Sequence, residues 1–391
     1  MPKPASLADL VAVIRSSRLV AEDGLAAAVD GVSPAGDMRT LLGQLIEAGH
    51  LTAFQADQIG RGRWRGFMVG PYRLLDLLGR GGSGHVYLGR HDGTGHEVAI
   101  KLLDASLVGD PVARTRFLRE VQAAAGLAHP NFAQLVDADL SARPPYLVME
   151  YIDGVSLQAA VARQGTFAGP AAAAAAHQIA VGLQHVHEQG LVHRDIKPAN
   201  VLIDRAGRVK ILDLGIVKRG AEKAGLTMTA SRRMILGTAD YLAPEQAVDS
   251  SAVDTRADLY ALGGTLYFLL AGHSPFPAGK TIDKLVAKQT TDPAPLGRLR
   301  PDLPARLCAV VHALLARNPA DRPPTPAAAA GRLARFAAAD PGHLAKLFVA
   351  PVPPGRPGQS AALAAPEPTR VMAAGPGVVG AAPVRNRPSA E

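Results

Sequence analysis

The stretch that most constrains this chain is His193-Arg194-Asp195-Ile196-Lys197-Pro198-Ala199-Asn200, which sets four polar groups of distinct chemistry in one short loop. A polar turn accounts for any one of these residues but not for the octet. If the chemistry is phosphoryl transfer, Asp195 can accept the proton of an attacking hydroxyl, Lys197 can neutralise the oxygens of the group in flight, and Asn200 can hold a metal ion. Arg194 has no part in that chemistry, but its planar fork of donors suits a phosphate placed elsewhere. Behind the apolar run Val209 to Leu212 comes Asp213-Leu214-Gly215, an acid at a strand end where a second metal contact can be supplied.

His-Arg-Asp-x-Lys-Pro-x-Asn followed by Asp-Leu-Gly resembles the catalytic and metal loops of the protein kinase family, in its bacterial Hanks-type serine/threonine form. The resemblance implies an α+β, bilobal fold, with a small β-rich lobe carrying one helix and a larger, mainly helical lobe. It also implies ATP as phosphoryl donor, Asp195 as base, and Asn200 and Asp213 as ligands of Mg2+, with Mn2+ as an alternative. Lys197 favours serine and threonine over tyrosine substrates.

Upstream, strand-like Tyr72 to Leu78 leads into Gly79-Arg80-Gly81-Gly82-Ser83-Gly84 and a second strand-like run, His85-Val86-Tyr87-Leu88. A dinucleotide fold needs a helix after such glycines, so a hairpin whose backbone N–H groups close over phosphates is the better reading. Glu97-Val98-Ala99-Ile100-Lys101 matches the family's third strand, which places Lys101 on the α- and β-phosphates, and in the helical stretch from Pro111 to Ala128 the resemblance pairs Glu120 with Lys101. Tyr146 to Met149 reads as a buried strand entering a hinge at Glu150-Tyr151-Ile152. There the resemblance gives the main chains of Glu150 and Ile152 to adenine, Met149 to the gatekeeper position, and Leu78, Val86, Ala99 and Leu202 to the walls around the ring.

Gly169-Pro170 and the six alanines after it start a long helix that ends at Gly190. His177, His185 and His187 fall within it, but no Cys or acid completes a ligand set at useful spacing, so they are expected on the helix surface. Gly237-Thr238 to Glu245 matches the family's substrate platform. By the same resemblance Thr238 bonds into the catalytic loop, Arg322 pairs with Glu245, and Asp258 braces the His-Arg-Asp backbone. Two departures stand out: Leu214 replaces the usual Phe, and Thr227-Met228-Thr229 lies about three residues further from Thr238 than the family's twin-threonine motif. Thr229 is the expected phosphosite read by Arg194, with Thr227 and Ser231 as secondary sites.

Residues 6 to 60 carry apolar positions at helical spacing (Leu7, Leu10, Val11, Ile14, then Leu41, Leu42, Leu45, Ile46), which predicts a small helical module over 1–70. Leu45 to Ile59 has the outline of a DNA-reading helix-turn-helix, but acids and bases balance over 1–70, which counts against it. The end of this region resembles the N-terminal extensions of some planctomycete kinases. The kinase region is expected over 71–340, and 349–391, rich in Pro, Gly and Ala, is expected to be disordered.

The net charge of +8 and pI near 9.7 are spread thinly, without a basic block interleaved with aromatics, so no nucleic-acid partner is expected. The longest apolar run, Ala261 to Ala271, is about half a membrane span. With no secretory signal at the start and one cysteine, Cys308, which reads as a core residue, the expectation is a soluble cytoplasmic protein. Its partners would be ATP, protein substrates, and a second copy for autophosphorylation in trans. Two rivals differ in class: a pseudokinase scaffold that acts by binding, which intact Lys101, Asp195, Asn200 and Asp213 oppose, and a small-molecule phosphotransferase, which would lack the Ala243-Pro244-Glu245 platform.

Overall fold

The computed structural model describes residues 2–32, 37–81, 84–103, 115, 118, 121–122, 124–212, 239–248, 254–337 and 342–346. Gly82, Ser83, Glu120, Asp213, Thr227, Thr229, Ser231, Thr238 and the segment 349–391 lie outside the described residues.

The chain opens with four helices, α1 (Leu7–Ser17), α2 (Glu22–Asp30), α3 (Met38–Glu47) and α4 (Ala53–Gly60). Ser6 caps α1 in a capping box with Asp9, Asp37 caps α3, and Thr52 caps α4 in a second box with Gln55. Each cap satisfies amide donors that the first helical turn leaves over. Leu10, Ile14, Leu25, Leu41, Leu45 and Ile59 close a core of their own, joined by Phe67 on the way out. The helical periodicity read from the sequence is therefore the buried stripe of this module.

A six-stranded antiparallel sheet follows: β1 (Met68–Val69), β2 (Tyr72–Gly81), β3 (Gly84–His91), β4 (Glu97–Leu103), β5 (Leu135–Asp139) and β6 (Tyr146–Glu150), in the order β1-β2-β3-β4-β6-β5. Strand alternation divides its side chains between two faces. Tyr72, Leu74, Val98, Ile100, Tyr146 and Val148 share one apolar cluster, whereas Val86, Ala99, Lys101 and Met149 lie at the intervening positions on the other face. Strand β2 slips register twice, at Leu75 and at Leu78.

The second lobe is built on two helices. Gly169–Glu188 buries a run of alanines together with Ile179, Leu183 and Val186, and the small side chains let neighbouring helices approach closely. Arg256–Ala271 is apolar on nearly every side and runs through the centre of the core. A small sheet of β7 (Gly154–Ser156), β8 (Val201–Asp204) and β9 (Val209–Ile211) sits beside the octet His193–Asn200. Cys308 is buried in the helical core, as expected. Among the described residues, no helix is long and apolar enough to cross a membrane.

The histidine expectation is corrected. His187 Nε2 lies 2.8 Å from the Asp258 carboxylate, with only 7% of its side chain exposed. His177 Nδ1 meets the Ala330 carbonyl at 3.1 Å, and His185 stacks on His129 with ring centroids 5.1 Å apart. The helix that carries them is enclosed on several sides, so its polar positions face other elements. Burial, with His185 and Lys210 adding to it, lowers the His129 pKa. The described residues hold no metal-binding group of three or more His, Cys, Asp or Glu side chains.

Helix Arg256–Ala271 passes helix Ala305–Leu314 at Gly263, where an added Cβ would lie 2.7 Å from Leu314 Cβ. Gly263→Ala is therefore expected to destabilise the protein by about 1–3 kcal/mol, since the two helices must separate to admit one methyl group. Urea unfolding at fixed pH measures this, and an unchanged midpoint would show that the crossing has slack.

Candidate active site

The octet forms one compact loop. Pro198, Ala199 and Asn200 make a turn of 3-10 helix just before β8. From this turn Asn200 reaches back, and its Nδ2 donates to the Asp195 carbonyl at 3.0 Å and to the Asp195 carboxylate at 2.8 Å. Lys197 Nζ stands 3.2 Å from the same carboxylate. Asp195 is thus held by an amide and an ammonium, and with Nδ2 spent on it, Asn200 has its amide oxygen to offer a cation.

The loop backbone is fixed from below by Asp258, which is fully buried on helix Arg256–Ala271. One of its oxygens accepts from Arg194 N at 2.7 Å, and the other accepts from His193 N at 2.8 Å and meets His187 Nε2. To present two successive N–H groups to one carboxylate, Arg194 adopts φ 65°, a left-handed conformation that is uncommon outside glycine. His193 is also fully buried. Its Nδ1 accepts from Asp195 N at 3.2 Å, which leaves the proton on Nε2, 3.2 Å from the Leu212 carbonyl. Leu212 N in turn donates to the Asn200 carbonyl at 2.8 Å. Both backbone groups of Leu212, the residue before Asp213, are therefore tied to the octet.

Across the cleft, Lys101 is 5% exposed in the middle of β4, paired with Val86 of β3 and Leu147 of β6. Gly84 closes the glycine hairpin at φ 130°, and its Cα packs so closely on the Leu102 carbonyl that any Cβ would collide with it. Leu78, Val86, Ile152 and Leu202 are half-buried, whereas Ala99 and Met149 are buried.

Two lysines with roles at the site had drawn no attention in the sequence. Lys210 on β9 is buried and holds both Glu150 carboxylate oxygens, at 2.8 and 2.9 Å, which ties the hinge to the strand that leads into Leu212. A polar residue inside a three-residue apolar strand was the signal available. Lys288, 1% exposed on helix Thr281–Thr290, donates to the carbonyls of Ala239 and Leu242 at 2.5 and 2.8 Å, beneath the expected substrate platform. Lys284 pairs with Asp240 at 2.7 Å and Gln289 Nε2 reaches the Pro244 carbonyl at 2.6 Å, so one helix grips the whole segment. The expected brace is present beside it. Arg322 meets Glu245 in a bidentate pair at 2.6 and 2.8 Å, lies over the Tyr260 ring, and donates to the carbonyls of Ala316, Arg256 and Arg317.

Residues 72–331 match the protein kinase domain. The chain is 38% identical over 281 residues to the serine/threonine-protein kinase PknB of Mycobacterium leprae, a match covering 71% of this chain and 44% of that protein. It is 40% identical over 312 residues to the serine/threonine-protein kinase Pkn1 of Myxococcus xanthus, covering 75% of this chain and 44% of that one. The chain thus spans less than half the length of these curated relatives. Among solved structures it resembles the PknI kinase domain of Mycobacterium tuberculosis, with a TM-score of 0.55 and 30% identity, covering 69% of this chain and 98% of that one.

Burial pushes the Lys288 amine down to about 7, although Asp240 nearby favours its charged form. An unfolded chain keeps this lysine protonated up to its ordinary value near 10.5, so between pH 7 and 10.5 the unfolded state binds the extra proton and stability rises with pH. The gain from pH 7 to pH 9 is expected to be at most about 2 kcal/mol, and Lys288→Met should flatten it. Unfolding curves of both proteins at the two pH values check this; parallel pH dependence would remove Lys288 as the source.

Proposed function

Because the chain belongs to the protein kinase family, we propose that it is an ATP- and magnesium-dependent protein serine/threonine kinase. The observation that carries this reading is the Asp195 carboxylate, aimed by Asn200 and Lys197 in a loop whose backbone Asp258 fixes. In the proposed reaction a serine or threonine hydroxyl gives its proton to Asp195 while its oxygen bonds to the γ-phosphorus. The bond to the β,γ-bridging oxygen breaks, and ADP leaves. Lys197 stands where charge develops on the transferring group, and Lys101 holds the α- and β-phosphates. When bound, magnesium would neutralise phosphate charge, and Asn200 has the free amide oxygen to hold it. Asp213 as second ligand, Glu120 as partner of Lys101 and Thr238 as a contact to the catalytic loop rest on the family resemblance. The hinge offers adenine the Glu150 carbonyl and the Ile152 main chain, since Glu150 N is spent on the Gln134 carbonyl at 2.8 Å. Leu78, Val86, Ala99, Met149 and Leu202 would enclose the ring.

The proposal takes 71–340 as the kinase domain and 1–70 as an extension of the kind carried by some planctomycete kinases. ATP and magnesium place its action in the cytoplasm. Activation is assigned to phosphorylation in trans between two copies, at Thr229 with Thr227 and Ser231 as secondary sites, read by Arg194.

Purified protein given ATP, magnesium and a serine/threonine peptide should transfer phosphate. Asp195→Asn should lower kcat by roughly 10²- to 10⁴-fold with little change in melting temperature, and Lys101→Met should abolish transfer. A mutant that keeps the full rate would end the assignment and leave a scaffold that acts by binding. Phosphatase-treated enzyme should phosphorylate the peptide more slowly than autophosphorylated enzyme. Equal initial rates, with mass spectrometry confirming the loss of phosphate, would remove the switch.

A further inference from the structure

The four-helix module does not lie beside the small lobe without touching its polar backbone. Strand β1 pairs with β2 only at Tyr72 and Arg73, and Leu74 N takes the Phe67 carbonyl. Beyond that point no strand among the described residues pairs with the outer edge of β2, and helix α4 covers it there. Gln55 Nε2 donates to the Leu74 carbonyl at 2.7 Å and Thr52 Oγ1 donates to the Leu75 carbonyl at 2.5 Å. Gln55 is only 3% exposed. The residue before Gln55 adds a contact to the next strand, the Phe54 ring meeting that of Tyr87 of β3 at 5.9 Å.

The place of these bonds matters more than their number. Leu75 is the residue at which β2 slips register against β3, from the pair Leu74–Gly89 to the pair Asp76–Leu88. A bulge leaves one residue out of the ladder and bends and twists the strand beyond it. Here the strand beyond it is Asp76 to Gly81, one arm of the glycine hairpin, and Tyr87 is next to Val86 on the other arm. Both carbonyls at the bulge are taken by a helix that the kinase match at 72–331 does not include.

We propose that the N-terminal module is a positioning element for the nucleotide, in which Gln55 and Thr52 fix the bend of β2 at Leu75 and so set the aim of the glycine hairpin over the phosphates. This rests on the proposed use of ATP. The two side chains touch neither substrate nor the reacting atoms, so they act through the hairpin, and their loss should appear in nucleotide affinity more than in the chemical step.

Gln55 permits a narrow test, because its Oε1 accepts from Thr52 N in the capping box at 3.0 Å while its Nε2 serves β2. Gln55→Glu keeps the cap and replaces the donor to Leu74 by an oxygen that repels it. In the full-length chain this variant should raise KM for ATP, and Kd for a fluorescent ATP analogue, about tenfold, with kcat changed less than twofold and KM for the peptide unchanged. Thr52→Val should act in the same direction, and Thr52→Ser, which keeps the hydroxyl, should restore wild-type values. Asp37→Ala serves as control: it removes the α3 cap, bonded to Thr40 and away from β2, and should lower the melting temperature without moving KM. Should Gln55→Glu not fold, the Thr52 pair decides alone. If wild-type enzyme uses ATP normally and its KM is indifferent to Gln55→Glu and Thr52→Val, this inference fails and the proposed function stands. If wild-type protein neither binds nor uses ATP, both fall.

Discussion

One buried carboxylate governs the catalytic half of the molecule. Asp258 has no exposure to water, and an uncompensated charge at such a place costs several kcal/mol. Its compensation comes from two consecutive backbone N–H groups and one imidazole nitrogen. The demand is geometric as well as energetic, since successive amides of an extended backbone point to opposite sides and cannot meet one acid. Arg194 meets it by turning left-handed, and Asp195 leaves that turn already directed at Asn200 and Lys197. The aim of the Asp195 carboxylate is thus decided by an acid more than sixty residues away on a separate helix.

Among the described residues, three buried cations tie segments of the second lobe together, and each is satisfied differently. Arg322 has a bidentate carboxylate, three carbonyls and an aromatic ring, so its charge is answered in full. Lys210 has both oxygens of Glu150 and the Phe132 carbonyl. Lys288 has two carbonyls and the Tyr260 ring at 5.5 Å, but its nearest carboxylate, Asp240, is engaged by Lys284. Burial without a carboxylate of its own is what loosens the Lys288 proton. A neutral amine still has two N–H donors for two carbonyls, so the clamp on the Ala239–Leu242 backbone survives loss of the charge.

What the sequence disclosed follows the same distinction. The octet was legible because polar density in a short loop has few purely structural explanations, and the helical module because an apolar stripe is a local property. Asp258, Glu245 and Arg322 were assigned by family resemblance; no spacing rule connects positions that far apart. Lys210 and Lys288 were passed over because a lysine in sequence reads as a solvated charge, and only the fold shows what closes over it. The histidines of Gly169–Glu188 show the converse: the lack of a Cys or acid to complete a ligand set argues against a metal site but not for the surface, and the alanines ahead of them are small because other helices press against them.

Helix α4 shows how one cap can serve two elements. Thr52 and Gln55 form the capping box that starts the helix. A capping threonine uses its oxygen as acceptor and a capping glutamine uses its carbonyl oxygen, so each retains a donor that the helix does not need. Those two spare donors, the Thr52 hydroxyl and the Gln55 amide, go to adjacent carbonyls at the bulge of β2. Each side chain therefore serves two elements at once, and neither bond can be kept if α4 shifts along the strand. The cap sets where α4 begins, the bulge sets where β2 bends, and the shared side chains make these one geometric condition joining the helical module to the hairpin.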